Sequence, residues 1–242
     1  LLTMDYDCVL MLTWSDWKTE ARSNRYHYAS RFAESVPVFF CQPLVSDNST
    51  YRIERTELPN VDIVHTPIPK NELTTPVAEY HPTCSRESIE DIKSLLRSRG
   101  LSSPLIWIYN TANYFETIQA FPNSLRVLHA TEDYFTHAKG IFEQNMGGET
   151  TKRNLQKTLD ITDLLIAVSQ GVLDGIEKNT DYCGKRIVLE NGVDTKFFLN
   201  LASEKQKETT PGKTKPQKRI AIYQGGINNR LDYELLETVI KK

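Results

Sequence analysis

His129 sits at the end of an apolar run, and Glu132 and Asp133 follow it within one loop. An imidazole beside carboxylates can take a proton or hold an acceptor hydroxyl, so these three are the candidate catalytic group. The same residues also read as a half-buried strand histidine followed by a helix-capping acid, and residue type alone favours that second reading. The stretch from Trp14 to Arg25 offers a different chemistry. Asp16, Lys18, Arg22 and Arg25 surround a helix start at Ser23-Asn24, where free N–H groups, the helix dipole and guanidinium charge favour an anion. A solvated basic turn is the competing reading. Trp14, Trp17 and Tyr26 either stack on a sugar face or cover the edge of a sheet. Asn110, just past another apolar run, joins Asp16, Lys18, Arg22 and Arg25 as a candidate binding residue.

Several chemistries lack their residues. No G-x-G-x-x-G follows the first apolar run, which counts against a nicotinamide or flavin enzyme, and no G-x-x-x-x-G-K-[ST] phosphate loop occurs. No G-x-S-x-G elbow occurs either. The histidines, at 27, 65, 81, 129 and 137, do not fall in ligand spacings. The cysteines, at 8, 41, 84 and 183, are scattered, with no C-x-x-C pair. No metal and no resident cofactor is expected. Cys8 and Cys41 lie in apolar runs and read as core residues, which suits a reducing compartment. Net charge is −2, so nothing draws the whole chain to nucleic acid. No apolar stretch approaches the ~20 residues of a membrane span, and the first residues lack a signal-peptide pattern. The expected location is cytoplasmic, with peripheral contact at the inner membrane face left open.

The elements that must position these residues follow from periodicity. Continuous apolar runs at Cys8–Thr13, Pro37–Cys41, Leu105–Tyr109, Leu125–Ala130, Leu164–Ser169 and Arg186–Glu190 read as strands, most of them buried on both faces. Tyr51–Thr56 and Val61–His65 read as two further strands joined by a turn at Pro59-Asn60. Between them come helical patterns. Ser23 caps one that carries Tyr26, Ala29 and Ala33. Ser85 opens one with a stripe of Ile89, Ile92, Leu95 and Leu96, closed by Gly100. Others span Asn113–Ala120, Glu149–Ile161 and Gln170–Asn179. The alternation predicts an α/β fold: a Rossmann-like, mostly parallel sheet with helices on both faces.

Residues 200–218 change character, with five lysines among Thr, Pro and Gly, and read as an exposed linker. A fresh strand, Arg219–Gln224, a Gly225-Gly226 turn and a helix with a buried face of Leu231, Leu235, Leu236 and Val239 follow. The expected organisation is a first domain over 1–199, a linker over 200–218, and over 219–242 the first strand and helix of a second, truncated domain. In a parallel sheet, ligands gather beyond the carboxyl ends of the strands. The segments there are Trp14-Ser15-Asp16, Asn110-Thr111, Thr131-Glu132-Asp133, Gln170 and Asn191-Gly192.

The order of motifs resembles a family. The strand Asp163-Leu-Leu-Ile-Ala-Val-Ser169, then Arg186-Ile-Val-Leu-Glu-Asn-Gly-Val-Asp194 and Phe197-Phe198, then Ile220-Ala-Ile-Tyr-Gln-Gly-Gly-Ile-Asn-Asn-Arg-Leu-Asp232, look like GT-B glycosyltransferases of the family 4 type. The resemblance implies transfer of a sugar from a nucleotide-sugar donor, a substrate and not a cofactor, to a glycan or lipid-linked acceptor. It implies retention of configuration, no obligatory metal, and a role in glycan or polysaccharide biosynthesis. The first domain would hold the acceptor and the second most of the donor. Gly225 and Gly226 would admit the donor diphosphate to the backbone, Arg230 would neutralise it, and His129 would lie near the reacting sugar. The acidic donor motif of the second domain is expected beyond Lys242, so the remainder of that domain is an expected partner. Two other readings stand beside this one: a nucleotide-sugar epimerase of the same architecture, and a non-catalytic domain that binds a glycan or a partner protein.

Overall fold

A computed structural model describes residues 6–19, 23–45, 51–68, 86–111, 114–132, 135, 148–192, 195, 199 and 233–240. The chain divides into two compact units, Leu1–Asn191 and Gly192–Lys242. The first holds one sheet of eight strands. They are β1 (Cys8–Leu12), β2 (Val38–Val45), β3 (Arg52–Arg55), β4 (Val61–Ile68), β5 (Pro104–Ile108), β6 (Arg126–Ala130), β7 (Leu164–Ala167) and β8 (Arg186–Val188). Its described helices are α1 (Asn24–Phe32), α2 (Arg86–Ser98), α3 (Phe115–Gln119), α4 (Gly148–Leu159) and α5 (Gln170–Asn179). The strand order is β3-β4-β2-β1-β5-β6-β7-β8, and every neighbouring pair is parallel except β3 with β4. The expected α/β, Rossmann-like sheet is therefore present.

The apolar runs in the middle of the sheet form strands because both of their faces are covered; β8, at the sheet edge, does not share this, with Ile187 45% and Val188 37% exposed. Cys8, Leu10, Leu12, Ile106, Ile108, Leu128 and Ala130 join one core with residues of α2, α3, α4 and α5. The alternate residues Val9, Met11, Leu105, Trp107, Tyr109 and Val127 join a second core beneath α1. Cys8 and Cys41 are wholly buried, as their apolar surroundings predict. Helix ends also match their local chemistry. Ser23 accepts a hydrogen bond from Arg25 N at 3.3 Å, and Ser169 accepts one from Val172 N at 3.3 Å. Asn60, at φ 63, makes the tight β3–β4 turn and donates its side-chain amide to Ala33 O at 3.2 Å.

The second unit shows one described helix, α6 (Tyr233–Ile240). Here an expectation is corrected. Leu235 and Leu236 do not form a buried face; they are 59% and 38% exposed. A helix buries its apolar stripe against other elements, and no sheet of this unit lies among the described residues. The linker 200–218, the strand after it and Leu231 lie outside the described residues. No described helix is long and apolar enough to cross a membrane.

Candidate functional site

The connections on either side of β1 create the site. From β1 the chain passes through α1, on one face of the sheet, to β2. It enters β5 from α2, which packs on the opposite face. At β1 and β5 the chain thus turns to opposite faces of the sheet, and this is the switch point beyond whose carboxyl ends parallel sheets of this kind have their ligand crevice. The two strand ends are tied together there. Tyr109 N and Asn110 N both donate to Leu12 O, at 2.9 and 3.1 Å, and Asn110 Nδ2 donates to Thr13 O at 3.5 Å.

Arg25, in the first turn of α1, points into this junction. Its guanidinium lies 4.4 Å from the Trp14 ring centre and 5.3 Å from that of Tyr109. The cation is thus placed between two aromatic rings, an arrangement that holds it electrostatically and by stacking. Arg25 is buried while Trp14 remains 41% exposed, so the indole presents a surface and the charge lies below it. Beneath Tyr109 comes His129, the next-to-last residue of β6 and wholly buried. The two ring centres are 5.1 Å apart, and His129 Nδ1 shares a hydrogen bond of 3.1 Å with the Tyr109 hydroxyl. Tyr28 and Trp107 close the imidazole from the sides, at 4.9 and 5.4 Å between ring centres. Burial, reinforced by the nearby positive charge of Arg25, pushes the His129 pKa down to about 4. The imidazole is neutral at physiological pH.

The other expected site residues take varied places. Asp16 organises its own loop. Its Oδ1 accepts from Lys18 N and Thr19 N at 3.0 and 2.9 Å, and its Oδ2 accepts from Gln42 Nε2 at 2.9 Å. Burial alone would raise the Asp16 carboxyl, but the bonds from Thr19, Lys18 and Gln42 outweigh it and hold the pKa below the usual range. The Lys18 amine pairs with Glu54, which also meets Arg52 and His65 at 3.2 Å each. Hydrogen bonds from Lys18 and His65 lower the Glu54 pKa. Asn110 is buried at the β1–β5 junction, and Glu132 is exposed one residue past Thr131. Arg22, Asp133, Gly225, Gly226 and Arg230 lie outside the described residues. Trp17 packs on Phe40 and Tyr26, at 5.0 and 5.1 Å, and covers the sheet.

Sequence reasoning missed Tyr109, Tyr28 and Gln42. Tyr109 ends the run LIWIY, where a phenol beyond the last ladder position was the available signal. Gln42 is a lone amide in an apolar strand, and its side chain also accepts from Trp17 N at 2.8 Å. Among the described residues, no group of three His, Cys, Asp or Glu side chains is placed to hold a metal ion.

No family model matches the chain, and no curated protein matches it. Solved structures do. One, described as trehalose-6-phosphate from E. coli bound with UDP-2-fluoro glucose, has a TM-score of 0.43 at 12% identity, over 83% of this chain and 54% of that one. An alpha,alpha-trehalose-phosphate synthase (UDP-forming) from Burkholderia xenovorans, in complex with glucose-6-phosphate, gives 0.47 at 10% identity, over 81% and 52%. The enzyme of that name from Burkholderia vietnamiensis gives 0.44 at 10% identity, over 83% and 52%. The chain spans about half the length of these structures.

Proposed function

We propose that this chain carries the acceptor-side lobe of a GT-B glycosyltransferase of the family 4 type, moving a sugar from a nucleotide-sugar donor to an acceptor with retention of configuration. The observation that carries the reading is the Trp14–Arg25 pair at the divergence of β1 and β5. A saccharide is recognised by an aromatic face against its apolar C–H surface and by polar groups around its hydroxyls. A negatively charged substituent adds the need for a cation. The crevice offers Trp14 as the face and Arg25 as the cation, with the Asn110-Thr111 and Thr131-Glu132 segments along the same sheet edge. The motif order from Asp163 to Asp232 supports the same family.

In this reading Gly225, Gly226 and Arg230 serve the donor diphosphate, where N–H groups and positive charge stabilise the departing nucleotide. The acceptor belongs to glycan or polysaccharide biosynthesis, and the reaction takes place on the cytoplasmic side.

The test is mass-spectrometric detection of transfer, screening nucleotide sugars against neutral and anionic acceptors. Arg25→Gln is expected to lower kcat/KM for an anionic acceptor by about 10- to 100-fold, the value of one charge-assisted hydrogen bond, and for a neutral one by much less. Equal losses for both would reject an anion at Arg25. Absence of transfer from every nucleotide sugar would reject the enzyme class.

A further inference from the structure

Four side chains form a column from the crevice into the core: Trp14, Arg25, Tyr109 and His129. We propose that Tyr109 and His129 are positioning residues, a buried support that fixes the Arg25 guanidinium beneath Trp14 and so sets the crevice's only described cation–aromatic platform, without touching the ligand. The proposal rests on the reading of Trp14 and Arg25 as the acceptor platform.

Three observations carry it. First, the backbone at both ends of the support is held in the sheet. Tyr109 is pinned by its backbone bond to Leu12 O at 2.9 Å, and His129 is held in β6 in register with Ile166 of β7. Second, the imidazole is locked in rotation. Tyr28 and Trp107 meet it edge-on, at 76° and 89°, and its Nδ1 is engaged with the Tyr109 hydroxyl. Its Nε2 is buried with no hydrogen-bond partner among the described residues, so the bond to Tyr109 is the contact that orients the ring. Third, a polar pair in an otherwise apolar core costs stability that two apolar rings would not, and here its outer end lies under the guanidinium. An arginine on a flexible stem loses affinity if it must be ordered at the moment of binding. A ring fixed beneath it orders it in advance. A neutral imidazole suits the task, because an imidazolium so close to Arg25 would repel it.

The experiment uses the 242-residue chain carrying 5-fluorotryptophan and 15N-histidine, with inorganic phosphate as the probe. The Trp14 fluorine resonance is assigned with Trp14→Phe, and folding of each variant is checked by circular dichroism. In the wild type, the 15N shifts of His129 should show a single neutral tautomer, and phosphate should move the Trp14 resonance. Tyr109→Phe keeps the ring and removes the hydroxyl. It should mix the His129 tautomers, shift the Trp14 resonance in phosphate-free buffer, and raise the phosphate Kd about five- to tenfold. His129→Phe should raise it by a similar factor, and the double variant by no more than the larger single loss, because the two act as one unit.

If Tyr109→Phe leaves both the tautomer and the phosphate-free Trp14 resonance unchanged, the support is rejected, whatever phosphate does. Losses that multiply in the double variant also reject it. If the resonance moves but wild-type protein takes no phosphate, the support stands and the anion reading of the platform falls. Should His129→Phe not fold, Tyr109→Phe alone decides through the tautomer and the Trp14 resonance.

Discussion

His129 is held neutral above about pH 4 by burial and by the charge of Arg25, whereas in an unfolded chain it takes a proton near 6.5. Between those two values the unfolded state binds more protons than the folded one. Stability is therefore complete above about pH 6.5 and declines as pH falls toward 4, below which His129 adds no further loss. At about 1.4 kcal/mol for each tenfold in proton affinity, the decline amounts to roughly 3 kcal/mol. Urea unfolding of the wild type and of His129→Phe from pH 7 to pH 4 checks this. The wild type should lose roughly that much more stability than the variant across the window, and parallel curves would show an imidazole that titrates normally. At this scale the chain was partly legible. Arg25 and His129 were both marked by type and place, but their union was not. They are 104 positions apart by number and meet only through Tyr109, a residue whose type alone does not separate a packing ring from a hydrogen-bonding one.

The helices and turns rest on short-range chemistry, and that is why they were readable. Ile89, Ile92, Leu95 and Leu96 recur at helical spacing and are buried in α2. That helix closes at Gly100, which adopts φ 71, with Gly100 N donating to Arg97 O and Leu101 N to Leu96 O, each at 3.0 Å. Open space surrounds the position where a Cβ would stand, so a side chain there meets only backbone strain. Gly100→Ala should cost about 1 kcal/mol and lower the thermal midpoint by roughly 2–4 °C, read by calorimetry. An unchanged midpoint would mean the helix does not end in a left-handed residue. Strand ends were read less well than helix starts. The run that suggested Pro37–Cys41 extends as β2 to Val45, through Gln42 and Pro43. An amide and a proline there interrupt the apolar pattern, but pairing with β4 over the whole of Val38–Val45 carries the strand on.

Taken whole, the sheet and both of its cores are built from residues of the Leu1–Asn191 unit. A chain ending at Asn191 should therefore unfold in one cooperative transition and retain the near-ultraviolet circular dichroism of its buried aromatic cluster. A broad, non-cooperative transition would show that the unit does not hold its own core. What the sequence by itself determined is the set of elements of the Leu1–Asn191 unit and the buried sides of its central strands and of helices such as α2. Period, caps and turn residues act over a few positions, and the surroundings of β1 or α2 are written in the residues beside them. What only the tertiary structure decided is which strands stand next to each other. With β1 between β2 and β5, the crossovers through α1 and α2 pass on opposite faces, and Arg25 lies between Trp14 and Tyr109. The reason is that strand order and register depend on how remote segments share two apolar faces at once, and no local pattern encodes that choice.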